Sequence, residues 1–384
     1  MRIAISGASG YIGQHLSSFL EGKGYDVIPL GRDLFKEDCF DELCRCVESC
    51  EVVINLAGAS INKRWTEAYK QELYDSRICV TRQLVHAINT RSVKLELFIS
   101  ASAVGYYPAF GEYDEYHDCR GMDFLARLCG VWEEEASACS SGVRLVITRF
   151  GVVLSEDGGA LKEMLRLQRF SRVSVVIGNG QQRFPWISLF DLCRSFGYII
   201  RNRQMRGVVN LVSPDLITQK QLAHTLARAD KIRRIIPLPK FFFRLKFGEG
   251  ASFVTKGQTV HPSKLQESGF TYIYPTIEKL MNITDHHTVP ELDVKRYMGR
   301  WYEIARYENH FERGMTDVTA TYTLLPDGKI RVENEGYKGG VHKKATGRAK
   351  QPDPKNNPGK LKVAFFLWFY ADYYILELDA DYQY

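Results

Sequence analysis

Along residues 1–281, short apolar runs alternate with longer stretches whose apolar positions recur every three to four residues. The pattern predicts strands at residues 2–6, 26–30, 52–56, 95–100, 144–150 and 207–211, and helices at 13–22, 66–89, 122–140 and 218–229. Such alternation argues a doubly wound parallel sheet. Thr66-Glu67-Ala68-Tyr69 and Thr218-Gln219-Lys220-Gln221 read as capping boxes opening two of the helices. Around residues 282–290 the chain turns polar and ends in Pro290, as a linker would. Beyond it, Val318 to Leu324 alternates with period two, Pro326-Asp327-Gly328 makes a turn, and residues 329–334 return as the second arm of a hairpin. Residues 360–370 and 373–378 read as two further strands. The expected organisation is an α/β domain over 1–283, a linker at 284–289, and a separate antiparallel β domain over 290–384.

The first strand runs into Gly7-Ala8-Ser9-Gly10-Tyr11-Ile12-Gly13 and then directly into a helix. Glycines at this spacing let the backbone turn tightly and approach a pyrophosphate, with the free N–H groups of the helix N-terminus aimed at it. The strand–turn–helix context makes this a dinucleotide site, with Gly7, Ser9, Gly10, Tyr11, Ile12 and Gly13 as its loop. The second strand ends in Gly31-Arg32-Asp33. An acid there would accept from the ribose 2′-OH of NAD, and an arginine would face the 2′-phosphate of NADP; Arg32 comes first, so NADP is expected. The third strand ends in Leu56-Ala57-Gly58, small enough for backbone to pass close to a bound cofactor.

Composition narrows the class. Of 384 residues, 45% are hydrophobic and 25% charged, as in a globular protein, and the length favours two domains. The net charge of +6 is scattered; its densest cluster, Lys231 to Arg234, falls at an expected helix end, and no nucleic-acid face is read. Nine cysteines lack paired ligand spacing, and Cys39, Cys44, Cys46 and Cys50 crowd one helix without a histidine, so free thiols and no metal are expected. His286 and His287 read as solvated linker residues. With no leader ahead of the first strand and no apolar run long enough to span a bilayer, the expected location is the cytoplasm.

Residues 1–280 resemble the atypical extended short-chain dehydrogenase/reductases of the sugar-nucleotide epimerase-like family. The resemblance rests on Val53-Ile54-Asn55-Leu56-Ala57-Gly58-Ala59, Lys63-Arg64-Trp65-Thr66, Asp75-Ser76-Arg77, the run Phe98 to Tyr107, Asp157-Gly158-Gly159-Ala160-Leu161 and Pro185-Trp186-Ile187. It implies NADP binding through Gly7, Gly10, Gly13, Arg32, Leu56 and Ala57, extending to Glu72, Arg77 and Val153. Active members of the wider superfamily use a tyrosine as general acid/base, a lysine four residues on, and a serine that orients the substrate oxygen. Anchoring on Glu133 places Leu125 and Cys129 at those two positions, and neither can do that proton chemistry. Tyr106 or Tyr107 could replace the tyrosine, and Ser100 or Ser102 the serine. Ser188 and Phe190 stand where the family more often has a histidine and an acid.

Residues 289–384 resemble bacterial lipocalins of the outer-membrane type, through the stretch Leu292 to Arg306 with its Gly299-Arg300-Trp301 signature, Phe311-Glu312-Arg313-Gly314, Val318 to Tyr322, and Asp379-Ala380-Asp381-Tyr382. The resemblance implies a barrel whose closed end is plugged by a buried Trp301. Since the sequence stops at the Asp-Tyr motif, the expectation is a partial, curved sheet of about six strands with open edges, binding lipid poorly and prone to self-association. Three functions remain open: an NADP-dependent oxidoreductase or epimerase acting on a nucleotide sugar or similar polar small molecule; a non-catalytic NADP-binding sensor or scaffold; and a lipid-binding lipocalin with the first domain as tether.

Overall fold

The computed structural model describes residues 1–90, 95–281, 288–289, 291–303, 314–354, 357–366, 369–379 and 381–382. The chain divides into two compact units, Met1–Met281 and Asn282–Tyr384. Most of the expected linker, with His286 and His287, lies outside the described residues, as do Phe311-Glu312-Arg313 and Ala380.

The first unit opens with β1 (Arg2–Ser6), α1 (Tyr11–Glu21), β2 (Asp26–Leu30), α2 (Phe40–Glu48), β3 (Val52–Asn55), α3 (Glu67–Thr90) and β4 (Leu97–Ala103). The short β5 (Glu112–Tyr113), α4 (Phe124–Ser137) and β6 (Arg144–Phe150) follow. Then come β7 (Val152–Ser155), α5 (Gly159–Ser171), β8 (Val173–Ile177), β9 (Trp186–Ser188), α6 (Leu189–Arg201) and β10 (Gly207–Leu211). Strands β2, β1, β3, β4, β6 and β10 lie side by side in that order, all parallel. This is a Rossmann-type doubly wound sheet, and its order reverses between β1 and β3. At such a reversal the two crossover helices depart to opposite faces and leave a crevice beyond the carboxyl ends of the strands, where ligands of open α/β sheets bind.

Alternate residues of the strands feed two cores. Ile3, Ile5, Ile54 and Ile99 pack with Leu16 and Leu20 of α1 and Leu192 and Phe196 of α6. On the other face, Ala4, Val53 and Phe98 pack with Leu43 and Val47 of α2 and Leu84 and Ile88 of α3. Strands buried on both faces read as continuous apolar runs, which is why these were legible. The unit closes with α7 (Gln219–Ala229), β11 (Arg234–Leu238), α8 (Lys240–Phe247), α9 (Ser252–Thr255), β12 (Thr259–Val260), α10 (Ser263–Glu267) and α11 (Ile277–Met281). Three parallel pairs, β7 with β9, β8 with β11 and β5 with β12, stand apart from the main sheet.

Only one of the two expected capping boxes forms. Thr218 accepts from the Gln221 amide while the Gln221 side chain accepts from the Thr218 amide. Thr66 accepts from the Tyr69 amide at 3.2 Å, but the Tyr69 side chain does not return the bond, and its hydroxyl donates to the Ser60 carbonyl instead.

The second unit begins with α12 (Val294–Tyr297). Its strands are β13 (Gly299–Tyr302), β14 (Met315–Leu324), β15 (Ile330–Lys338), β16 (Val341–Lys350), β17 (Lys360–Phe366) and β18 (Phe369–Tyr374). They form one antiparallel sheet in chain order, a half-barrel, with β13 and β18 at its edges among the described residues. The last two strands meet earlier than the aromatic pattern suggested, with residues 360–366 pairing back onto 369–374. One face carries the core: Tyr297, Tyr322, Ile330, Val332, Leu361 and Val363, with Tyr373 against it. Trp301 is half-buried rather than enclosed, stacked on Tyr297 at 4.9 Å and donating its indole N–H to the Tyr297 carbonyl.

Because the Thr218 hydroxyl satisfies a helix-end amide and orders Gln221, Thr218→Ala should destabilise the first unit by about 1 kcal/mol. A lowered midpoint in chemical denaturation checks this, and an unchanged midpoint would show the box to be dispensable.

Candidate functional site

The glycine turn is shaped by the absence of side chains. Gly7 has φ +73°, and a Cβ there would lie 2.8 Å from the Leu56 carbonyl carbon and oxygen. A Cβ on Gly13 would lie 2.2 Å from the Gly7 carbonyl oxygen. The turn after β1 therefore sits directly against the end of β3, with Gly7 on Leu56 and Ala57, while Gly10 and Gly13 close on the turn itself. Gly10 caps α1 without any side-chain bond, and the first turn holds no acid. The amides of Tyr11, Ile12 and Gly13 thus face the crevice with the positive end of the helix dipole behind them. Ser9 is exposed beside them, and its carbonyl accepts from the Gln14 side chain. Ile12 packs into the core, while the Tyr11 ring lies where a Cβ on Gly158 would be, 2.3 Å away. Val153, on β7, joins the same core from its margin.

A buried polar chain that the pattern analysis missed holds the end of β3. Ser6 donates to the Asn55 side-chain oxygen at 2.6 Å, which also accepts from the Ala57 amide. Asn55 donates to Thr81 at 2.8 Å, and Thr81 donates to the Arg77 carbonyl and accepts from the Trp132 indole. The only advance signal was a set of polar residues interrupting apolar runs.

Beyond β2, Asp33 is engaged by Lys36 at 2.5 Å, whereas Arg32 is exposed and forms no ion pair among the described residues. Arg77 leans on Gly58, with a Cβ there falling 2.9 Å from its Cζ, and donates to the carbonyls of Ala59 and Leu73. It lies over Trp132 and has no carboxylate partner among the described residues; burial pushes its guanidinium below the usual arginine range. Glu72 does not accompany it: it is exposed on α3, and positions five apart on a helix point about 140° from one another.

The expected catalytic residues are held by structural bonds. Ser102 is buried and donates to Glu133 at 2.6 Å, and Arg149 grips the same carboxylate with two bonds of 2.8 and 2.7 Å. Ser100 is buried too, and its hydroxyl finds no partner among the described residues. Tyr107 is buried, its hydroxyl donating to the Asp114 carbonyl and lying 3.1 Å from the Asn210 side-chain oxygen. Tyr106 is half-buried, stacked on the Arg149 guanidinium at 3.5 Å and donating to Asp118 at 3.1 Å. Burial first and the Asp118 bond second raise its pKa. Leu125 packs on Gly105, and the enclosed Cys129 thiol is pushed up to about 12, mainly by burial. Ser188 caps α6, accepting from the Asp191 amide, while Phe190 is exposed. Among the described residues no group of histidine, cysteine and carboxylate side chains could hold a metal ion.

A doubly wound sheet with a side-chain-free cradle at its switch point and an uncapped helix N-terminus facing it defines a dinucleotide-fold domain. The chain belongs to the NAD dependent epimerase/dehydratase family, which matches residues 3–211. A domain of unknown function (DUF1731) matches residues 238–282, and a lipocalin-like domain residues 292–384. The epimerase family protein YfhF of Bacillus subtilis is 34% identical over 307 residues, covering 75% of this chain and all of that protein. The chloroplastic SDR39U1 homolog of Arabidopsis thaliana is 33% identical over 297 residues, covering 72% of this chain and 85% of its own length. The crystal structure of the human epimerase family protein SDR39U1 with NADPH superposes with a TM-score of 0.68 at 32% identity, covering 74% of this chain and 98% of that one.

The raised pKa and enclosure of Cys129 predict that it resists alkylation near pH 8 in the folded protein, whereas the exposed Cys79 and Cys119 react. Mass spectrometry of iodoacetamide-treated protein checks this. Early modification of Cys129 would show that the helix carrying it opens.

Proposed function

We propose that the first unit is an NADP(H)-binding, epimerase-like oxidoreductase acting on a nucleotide sugar or similar polar small molecule. The observation that carries the cofactor assignment is the pairing at the end of β2: Lys36 occupies Asp33, and Arg32 is left without an ion pair among the described residues. A free guanidinium there suits a 2′-phosphate, and the engaged Asp33 suits a ribose hydroxyl less well. The residues fit the cofactor elsewhere too. The cradle of Gly7, Gly10 and Gly13 would take the pyrophosphate, Leu56 and Ala57 would pass beneath it, and Arg77 would border the crevice from α3. The NADPH in the human relative supports the same choice.

When bound, NADPH supplies a hydride. A carbonyl that accepts it on carbon needs a proton on oxygen, and Tyr106 is the hydroxyl we assign to that role. With its pKa raised it does not act as a base at neutral pH, so the role assigned is that of proton donor in reduction. Arg149, stacked beneath its ring, holds it in place, and Ser102 serves by orienting Glu133 toward Arg149.

A second reading, a sensor or scaffold that binds NADP(H) without turnover, is favoured by Leu125 and Cys129. Both are locked into packing where active relatives of the wider superfamily place a proton-transferring pair. For the second unit we propose no dedicated lipid site, because Tyr297, Tyr322 and Tyr373 join their hydroxyls at 3.0 Å across its core face.

Arg32→Ala should weaken NADPH by about one to two orders of magnitude, the worth of a charge-assisted bond at roughly 1.5–3 kcal/mol, and leave NADH unaffected. Calorimetry giving wild-type protein equal affinities for both cofactors would refute the assignment. Tyr106→Phe should lower NADPH-dependent carbonyl reduction about 10²–10⁴-fold at unchanged cofactor affinity. Unchanged turnover would remove Tyr106 from the chemistry. Bound NADPH that remains unoxidised with every nucleotide-sugar carbonyl offered would favour the sensor.

A further inference from the structure

The segment from Lys231 to Phe247, which contains β11 and α8, concentrates one sign of charge. It holds Lys231, Arg233, Arg234, Lys240, Arg244 and Lys246 and no acid. The flanking acids are committed elsewhere, Asp230 to Arg169 and Glu249 to Lys70. None of the six cations pairs with a carboxylate among the described residues, so the segment presents uncompensated positive charge. At its start is a recess of about 300 Å³ lined by Ser171, Arg172, Lys231, Ile232, Arg233 and Arg234. Arg172 and Lys231, which end the turns after α5 and α7, both take left-handed backbone, with φ of 56° and 54°. Such conformations are uncommon for residues other than glycine and carry a strain that surrounding structure must offset.

The same segment leaves large apolar side chains in water. Phe241, Phe242 and Leu245 are 53%, 46% and 63% exposed, and Ile236 on β11 is 46% exposed. On α8 positions 241 and 245 are one turn apart with 242 beside them, so the three make one face. The Phe241 and Phe242 rings touch at 4.1 Å, and Phe247 turns inward to the core. Lys240 is tied to the Thr255 carbonyl, and Arg64, from the loop before α3, donates to the Leu245 carbonyl at 2.7 Å, adding a further cation at the rim. The helix is thus held to its unit by one face while its aromatic face is uncovered among the described residues.

An aromatic ridge flanked on its own helix by Arg244 and Lys246, which pair with no carboxylate among the described residues, matches one kind of partner. We propose that this surface docks the protein on an anionic lipid bilayer, with Phe241, Phe242 and Leu245 entering the boundary between headgroups and acyl chains. Arg244 and Lys246 lie against the phosphates from α8, and the recess at Arg233 and Arg234 accepts a headgroup phosphate. Aromatic and leucine side chains on one face with lysine and arginine around them define interfacial helices, whose binding combines apolar burial with attraction to anionic lipid. A second copy of this chain is a poorer occupant, since self-docking would bring like-charged segments together. No described helix is long and apolar enough to cross the membrane, so the association is peripheral.

Co-sedimentation of the full chain with vesicles tests this, using equimolar phosphatidylglycerol and phosphatidylcholine against phosphatidylcholine alone. The expected result is at least about tenfold stronger binding to the anionic vesicles, falling as salt rises above the physiological range. The triple variant Phe241→Ser, Phe242→Ser, Leu245→Ser should lose binding while keeping its thermal transition, because the replaced side chains are exposed. The charge variant Arg244→Glu with Lys246→Glu should lose it independently. No binding, equal binding to neutral vesicles, or full retention in both variants would overturn the proposal. So would self-association of the wild type that the triple variant abolishes, because the occupant would then be a second copy.

Discussion

Everything at the candidate site depends on a contact between backbones that no side chain could share. The turn after β1 lies on the end of β3 so closely that a single carbon added at Gly7 would overlap the main chain of Leu56, and α1 packs on that turn so closely that one added at Gly13 would overlap Gly7 and Ala8. This contact sets the direction of α1 and leaves its first amides facing the switch point. It also requires the end of β3 to stay fixed, which the buried Ser6–Asn55–Thr81 chain ensures. Since the buried polar side chains of that chain bond to one another, it adds definition to the core.

A second constraint shapes the chemistry. Arg149 and Glu133 are buried opposite charges, and such a pair must be closely matched to be tolerated. Here the matching uses Ser102 and the Tyr106 and Tyr107 rings. Residues that resembled catalytic candidates therefore serve a structural ion pair as well, and only Tyr106 keeps part of its surface open. Leu125 and Cys129, where the resemblance would place a proton-transferring pair, are packed against Gly105 and enclosed, while the glycine turn keeps its side-chain-free shape.

Much of this was legible in the sequence because strands of a sheet covered by helices are largely apolar, and β1, β2, β6 and β10 begin and end where the apolar runs do. What escaped was set by tertiary context. Strand β16 is mostly polar and exposed, with only Gly347 and Ala349 buried; its place comes from pairing with β15, where Lys344 meets Glu333 and Glu335. Asp191, an acid on α6, is wholly buried and accepts the amides of Ile273 and Tyr274 from a distant loop. Tyr106 and Tyr107 are adjacent and chemically identical, and only the fold separates an open hydroxyl from an enclosed one. The glycine turn was legible because its spacing reflects a local steric rule, whereas the environment of Arg77 depends on Gly58 and Trp132, far apart in sequence.

The central claim is that the crevice between β1 and β3 receives the phosphates of NADP(H). Amide hydrogen exchange of the full chain, with and without saturating NADPH, addresses it most directly. The account predicts slowed exchange at Tyr11, Ile12, Gly13 and Ala57, with no change in β14, β15 and β16. Unchanged exchange across the glycine turn, or protection confined to the second unit, would contradict it.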